Sequence, residues 1–427
     1  MTGDKKITIL VFPCGSEIGL EVYRSLSFSR NIDLIGGSSV DDHGRFVYEN
    51  YIGDIPYYND ENFIPYLEEL ITRYKIDVIY PATDAVITAT KERGALLNCI
   101  VIGPSAETAK ICSSKKQTYE ILDGIIPVPK MYNSIDEIVS YPIFLKPDIG
   151  YGSRGVNKAI NKTEAEFYLQ KNKECLLLEY LPGKEYTIDC FTDKDRKLLF
   201  AGPRVRNRIM NGISVNSSPV SEERFQLLAE KLNEKIVFRG AWFFQVKENN
   251  SGELVLMEIA GRLGGTSGIY RCKGINFALL SVFDAFGEVV RVDSNDFDIE
   301  IDRALESRYR LNIDFNTVYV DFDDTLIIKD KVNTKLVMLL YQFINEGKKL
   351  VLLTKHIYDI NESLEKYKLR SIFDEVVLLK KENEKINFIE PAAAIFIDDS
   401  FSERNKVQQK FNIPVFAPDA IESLFKY

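Results

Sequence analysis

The chain is poor in the residues that build imidazole–metal and disulfide chemistry. Of its 427 residues two are histidines (His43 and His356), one is tryptophan, and six are scattered cysteines (Cys14, Cys99, Cys112, Cys175, Cys190 and Cys272) with no CxxC pair among them. Neither a zinc site nor a disulfide framework is expected, and reduced cytoplasmic thiols are. Long hydrophobic runs are missing too. Ile7 to Phe12 is stopped by Pro13 and Gly15, and no run approaches the ~18 residues that span a bilayer, so neither a signal sequence nor a membrane partner is expected. Positive charge is in deficit: 54 Lys and Arg against 63 Asp and Glu give −9, which argues against broad nucleic-acid binding. Gly15 and Gly19 do not complete a G-x-G-x-x-G fingerprint. There is no internal repeat and no low-complexity tract.

What is present describes an ordinary globular protein of two or more domains, with 45% hydrophobic and 27% charged residues. Ile7 to Phe12, Asn31 to Gly36 and Ile76 to Tyr80 read as strands. They alternate with helical stretches such as FIPYLEELITRYK, which implies a parallel sheet in an α/β unit. Asp84 follows the third strand, either as a contact to substrate or as a solvated loop acid.

The densest stretch is YPIFLKPDIGYGSRGV. A strand delivers Lys146 to a glycine-rich loop at Gly150, Gly152 and Gly155, where backbone can lie against phosphate oxygens. Downstream, LLLEYLPGKEY runs a strand into Glu179, Tyr180 and Leu181, with Glu185 past the turn. PRVRNR sets Arg204, Arg206 and Arg208 on alternate residues. If extended, they share one face suited to an anionic substrate group, or they simply pair with surface acids. WFFQVKENNSGELVLMEIAGRLGGTSG reads as a hairpin that brings Gln245 and Glu258 together, with Arg262 beyond.

In this order the pieces resemble the ATP-grasp superfamily from about Ile111 to Val290. The resemblance implies ATP and Mg2+ as cofactors and small-molecule carboxylate and amine substrates. Lys115 and Lys146 are similar to the lysines on the ATP phosphates, and the loop with Gly152 and Ser153 to the flap that closes over them. Glu179 and Leu181 resemble the adenine hinge, and Glu185 the ribose ligand. Glu258 resembles the main metal ligand, Gln245 stands where a second is usual, and Arg262 resembles the arginine that stabilises the transferred phosphoryl group. Many members read Glu-Ile-Asn-Pro-Arg where this chain has Glu258-Ile259-Ala260-Gly261-Arg262, and Ala260 cannot hold a metal.

A second signature begins at TVYVDFDDTLI. Its strand delivers Asp321 at the carboxyl end, with Asp323 and Thr325 at spacings of two. LVLLTKH ends a strand at Thr354, AIFIDDS ends one at Asp398 and Asp399, and Lys385 lies between them. This half resembles the haloacid-dehalogenase (HAD) superfamily in its phosphatase form. The resemblance makes Asp321 the nucleophile and Asp323 the acid/base. Thr354 and Lys385 then neutralise the phosphate, and Asp321, Asp323, Asp398 and Asp399 gather around magnesium. The spacings leave no room for a cap domain, so the site should be open to a phosphate ester. His356 either lines that entrance or is an exposed bystander.

The expectation is therefore a multidomain α/β and α+β protein. Residues 1–110 form a Rossmann-like domain ahead of the ATP-grasp lobes at 111–295, then a linker at 296–315 and a Rossmannoid HAD-like domain at 316–427. The expected function is a carboxylate–amine ligase fused to a phosphatase of the same pathway. The alternatives are a phosphatase carrying a degenerate nucleotide module, or a ligase carrying a scaffold domain. A homo-oligomer is compatible with either.

Overall fold

The computed structural model describes residues 6–94, 97–150 and 155–426. The chain divides into two compact units, residues 1–305 and 306–427. All six cysteines are free, and among the described residues no helix is long and apolar enough to cross a membrane.

The larger unit begins with β1 (Ile7–Phe12), β2 (Ile32–Gly37), β3 (Asn50–Ile52), β4 (Val78–Pro81) and β5 (Ile100–Val101). They form a parallel sheet in the order β3-β2-β1-β4-β5. Along β1, Ile7, Ile9 and Val11 enter one core while Leu10 and Phe12 enter another. Burial on both faces is why the segment reads as an unbroken apolar run.

Next come β6 (Met131–Tyr132), β7 (Ile143–Pro147), β8 (Asn157–Ala159) and β9 (Cys175–Glu179), an antiparallel sheet ordered β6-β9-β7-β8. A six-stranded antiparallel sheet follows, built from β10 (Glu185–Thr192), β11 (Leu198–Met210), β12 (Ile213–Pro219), β13 (Gly240–Glu248), β14 (Leu254–Ala260) and β15 (Ile301–Asp302). One face is sealed by Phe225 and Leu232 of the helix Glu223–Lys235 and by Tyr119 and Leu122 of the helix Lys115–Leu122, packed with Trp242 and Phe244. The other face carries the polar side chains of the site.

β15 corrects the linker expected at 296–315. Ile301 pairs with Ser217 and Asp302 with Asn216. Charge-rich sequence here is not slack chain: Asp302 takes Arg208 at 2.7 Å and Arg303 reaches Glu17 at 3.2 Å.

The smaller unit contains β16 (Thr317–Val320), a hairpin of β17 (Ile327–Ile328) and β18 (Lys331–Val332), then β19 (Lys349–Thr354), β20 (Glu375–Leu378), β21 (Ala394–Ile397) and β22 (Val415–Phe416). Five of these form a parallel sheet in the order β20-β19-β16-β21-β22. Val318 and Val320 face one core and Tyr319 the other. β16 is central, so its carboxyl end opens between those of β19 and β21. In an open parallel sheet that crevice is where a site forms.

Candidate functional site

The register of β13 against β14 builds the first site. Gln245 lies opposite Glu258 while Val246 lies opposite Leu256, so Met257 is one residue too many. Such a bulge breaks the ladder and leaves a backbone group seeking a partner. The Met257 carbonyl accepts from Lys146 Nζ at 2.9 Å and from the Tyr119 hydroxyl at 2.6 Å. Lys146 comes from β7 and is 7% exposed. Burial pushes its ammonium down to about 7, with Glu258 opposing the shift and Lys115 adding to it.

Lys115 opens its helix under a Ser114 cap and donates to the carbonyls of Asp148 (3.0 Å) and Gly150 (3.3 Å), at the root of the glycine loop. A cleft lies between the two antiparallel sheets, lined by Lys146, Glu179, Tyr180, Leu181, Leu256 and Met257. The Glu179 carboxylate accepts the Lys130 backbone N–H at 3.0 Å. On the polar face, Glu185 is shared by Arg206 and by Lys247, the latter at 3.6 Å. Arg206 also donates to Gln245 Oε1 at 3.1 Å and to the Gly212 carbonyl at 2.7 Å.

The family model described as "ATP-grasp in the biosynthetic pathway with Ter operon" matches residues 171–307. The D-alanine–D-alanine ligase of Fusobacterium nucleatum is 25% identical over 178 residues, which is 38% of this chain and 61% of that protein. The biotin carboxylase domain of 2-oxoglutarate carboxylase from Hydrogenobacter thermophilus, solved with MgADP, ADP and bicarbonate, superposes with a TM-score of 0.56 at 16% identity. It covers 67% of this chain and 71% of its own. An L-amino acid ligase from Bacillus licheniformis gives 0.54 at 17%, over 66% and 75%. Over about two thirds of its length the chain shares the fold of these two structures, and within it residues 171–307 match the ATP-grasp model.

Of the expected nucleotide residues, Lys146, Glu179 and Leu181 line one cleft, Lys115 and Glu258 lie near enough to Lys146 to act on its charge, and Gln245 stands opposite Glu258. Gly152 and Ser153 lie outside the described residues. Arg208 does not share the face of Arg204 and Arg206, because register shifts between Arg206 and Arg208, and again at Ile209, break the alternation. Each has its own acid: Arg204 is 2% exposed and held by Asp189 at 2.7 Å, Arg206 meets Glu185, and Arg208 meets Asp302. Arg204 is thus enclosed in the wall. Arg262 pairs with Asp84 at 2.8 Å, so Asp84 is a partner and not a solvated loop acid. Ala260, opposite Phe243, is 5% exposed and offers no ligand.

The smaller unit holds a second site. Asp321, Asp398 and Asp399 are the one group of three acids among the described residues that could share a cation, with ligand atoms within 4.8 Å of one another. Lys385 Nζ stands 2.7 Å from Asp321 and 2.6 Å from Asp398. Burial raises the Asp321 carboxyl to about 6, Lys385 opposing and Asp398 reinforcing the shift. Burial works against the Lys385 ammonium, but the two carboxylates outweigh it and raise its pKa. The Thr354 hydroxyl at the end of β19 is buried without a hydrogen-bond partner among the described residues. A buried hydroxyl left unpaired is costly, and an anion seated there would satisfy it.

Asp323 is a correction to the expected metal set, because it does not belong to the three-acid group. It lies past the end of β16 and turns its carboxylate to His356, whose Nδ1 is 2.9 Å from both oxygens. His356 is no exposed bystander: its side chain is 8% exposed and Nε2 meets Ser363 Oγ at 2.9 Å. Sequence reasoning missed this pair, as it missed Tyr119 and the Met257 carbonyl. A histidine two residues past a strand end was the only signal.

Proposed function

We propose that the larger unit is an ATP-dependent carboxylate–amine ligase working through an acyl phosphate, and that the smaller unit is a HAD-type phosphatase. The observation that carries the first reading is the gathering of Lys115 and Glu258 about Lys146, which lines the cleft. Lys115 and Lys146 bind the nucleotide's phosphates, the Glu179–Leu181 edge meets the base, and Arg262, held by Asp84, faces the phosphoryl group in transfer. The substrate carboxylate attacks the γ-phosphorus, ADP leaves, and the amine displaces phosphate from the acyl phosphate to give the amide. The Glu258 carboxylate, opposite Gln245 in the ladder, suits one divalent cation, which would supply charge neutralisation when bound. The nucleotide named for the H. thermophilus structure and the ligase names of the two other relatives favour the same reading.

The second reading rests on the Asp321, Asp398, Asp399 and Lys385 cluster beside the unpartnered Thr354 hydroxyl. The three acids fit a magnesium ion, which would cancel charge between carboxylates and phosphate. Lys385 and Thr354 seat the phosphoryl oxygens. Asp321 attacks phosphorus while Asp323 protonates the departing alkoxide, and Asp323 then takes a proton from water that cleaves the aspartyl phosphate. Ala260 and Gln245 favour the alternative that the larger unit only binds nucleotide.

One experiment separates these readings. Pools of acids and amines are supplied with ATP, and ADP and free phosphate are followed in wild type, Lys146→Ala and Asp321→Asn. Amine-dependent ADP in wild type and Asp321→Asn, but not in Lys146→Ala, is expected. Ester hydrolysis should be lost in Asp321→Asn alone. Absence of amine-dependent ADP throughout removes the ligase, and hydrolysis that survives Asp321→Asn removes the phosphatase.

A further inference from the structure

Beside the cleft of the larger unit, side-chain donors for a divalent cation are few. Across the β13–β14 ladder Glu258 is a carboxylate, Gln245 is a neutral amide, and the position of Ala260 has no donor. The Gln245 oxygen is also already taken, by Arg206 Nη1 at 3.1 Å. A second metal on that oxygen would meet a guanidinium at hydrogen-bond range, where like charges repel strongly.

Arg206 is itself a built-in cation. Its side chain is 5% exposed, anchored on Glu185, Gln245 and the Gly212 carbonyl. Its Nε–H is buried with no acceptor among the described residues. A planar guanidinium matches phosphate oxygens in a way that a hydrated ion does not. Glu185 cannot neutralise the region, because it is shared with Lys247 at 3.6 Å.

We infer that this cleft binds its nucleotide with a single divalent cation, on Glu258, and that Arg206 supplies the second positive charge against the triphosphate. The inference rests on the nucleotide reading above and reassigns Arg206 from the acceptor substrate to the phosphates.

The test is equilibrium dialysis of the full-length protein with Mn2+ and adenylyl imidodiphosphate, subtracting the Mn2+ bound without nucleotide. One additional Mn2+ per bound nucleotide is expected, and two would overturn the inference. Arg206→Met should weaken the triphosphate analogue by more than about tenfold while adenosine changes by less than about twofold, with Arg206→Lys between. Equal weakening of adenosine would show that Arg206 merely orders Glu185, and would also overturn it. If Arg206→Met does not fold, the wild-type count still decides. Wild type that binds no nucleotide at all defeats the nucleotide reading itself, a result distinct from binding with two metals.

Discussion

Lys115, Lys146, Arg206 and Lys247 gather with the carboxylates of Glu185 and Glu258 at the site of the larger unit, whereas in the smaller unit Asp321 and Asp398 flank the Lys385 ammonium with Asp399 beside them. Both arrangements suit phosphate, by opposite routes. A cation-rich wall attracts a polyanion unaided and needs metal for alignment. An acid-rich cluster repels a phosphate dianion until a cation intervenes.

Stripping divalent metal should break the comparison most visibly. Ester hydrolysis should fall by more than about a thousandfold, while binding of adenylyl imidodiphosphate falls by about tenfold at most. Parallel titrations with EDTA check this, and equal sensitivity would erase the distinction. The next effect concerns the buried Thr354 hydroxyl. Thr354→Val should raise KM for the ester about tenfold, yet stabilise the free protein by up to about 1 kcal/mol, because no hydrogen bond to a described residue is lost. Thermal melts beside steady-state kinetics measure both.

The smallest effect is protonic. The Lys146 ammonium is pushed from 10.5 down to about 7, so at pH 8 the empty cleft holds mostly the neutral amine. A bound triphosphate favours the ammonium, so binding should take up a proton and affinity should weaken as pH rises above about 7, by at most about tenfold per unit. Calorimetry in buffers of different ionisation enthalpy reads the uptake, which Lys146→Arg should abolish. In the free protein the sign reverses. Between about 7 and 10.5 the unfolded chain binds more protons at this residue than the folded one does, so stability should climb with pH through that window.

Much of this was legible where a local rule sufficed. Apolar runs ending in Lys146, Asp321, Thr354 and Asp398 marked strand ends, and the hairpin set Gln245 against Glu258. What escaped depends on register or on distant packing. Alternate arginines in PRVRNR imply one face, but shifts at β11 redirect Arg208 and the fold encloses Arg204 with Asp189. The Asp84–Arg262 pair joins residues 178 positions apart, and the His356–Asp323 pair joins two loops, so neither leaves a periodic trace. The 296–315 stretch looked like a linker because charge normally signals solvent, yet its Asp302 and Arg303 are bound to the larger unit at β15.

Met257 matters through its main chain as well as through the side chain that borders the cleft. Omitting it would leave Gln245 facing Glu258 in an unbroken ladder, so the glutamate would keep its place. What would vanish is the acceptor that pins the Lys146 ammonium and the Tyr119 hydroxyl. Strand length at this point thus sets the lysine's aim independently of the glutamate's, and a single-codon deletion would uncouple two halves of the site that a substitution of the Met257 side chain leaves joined.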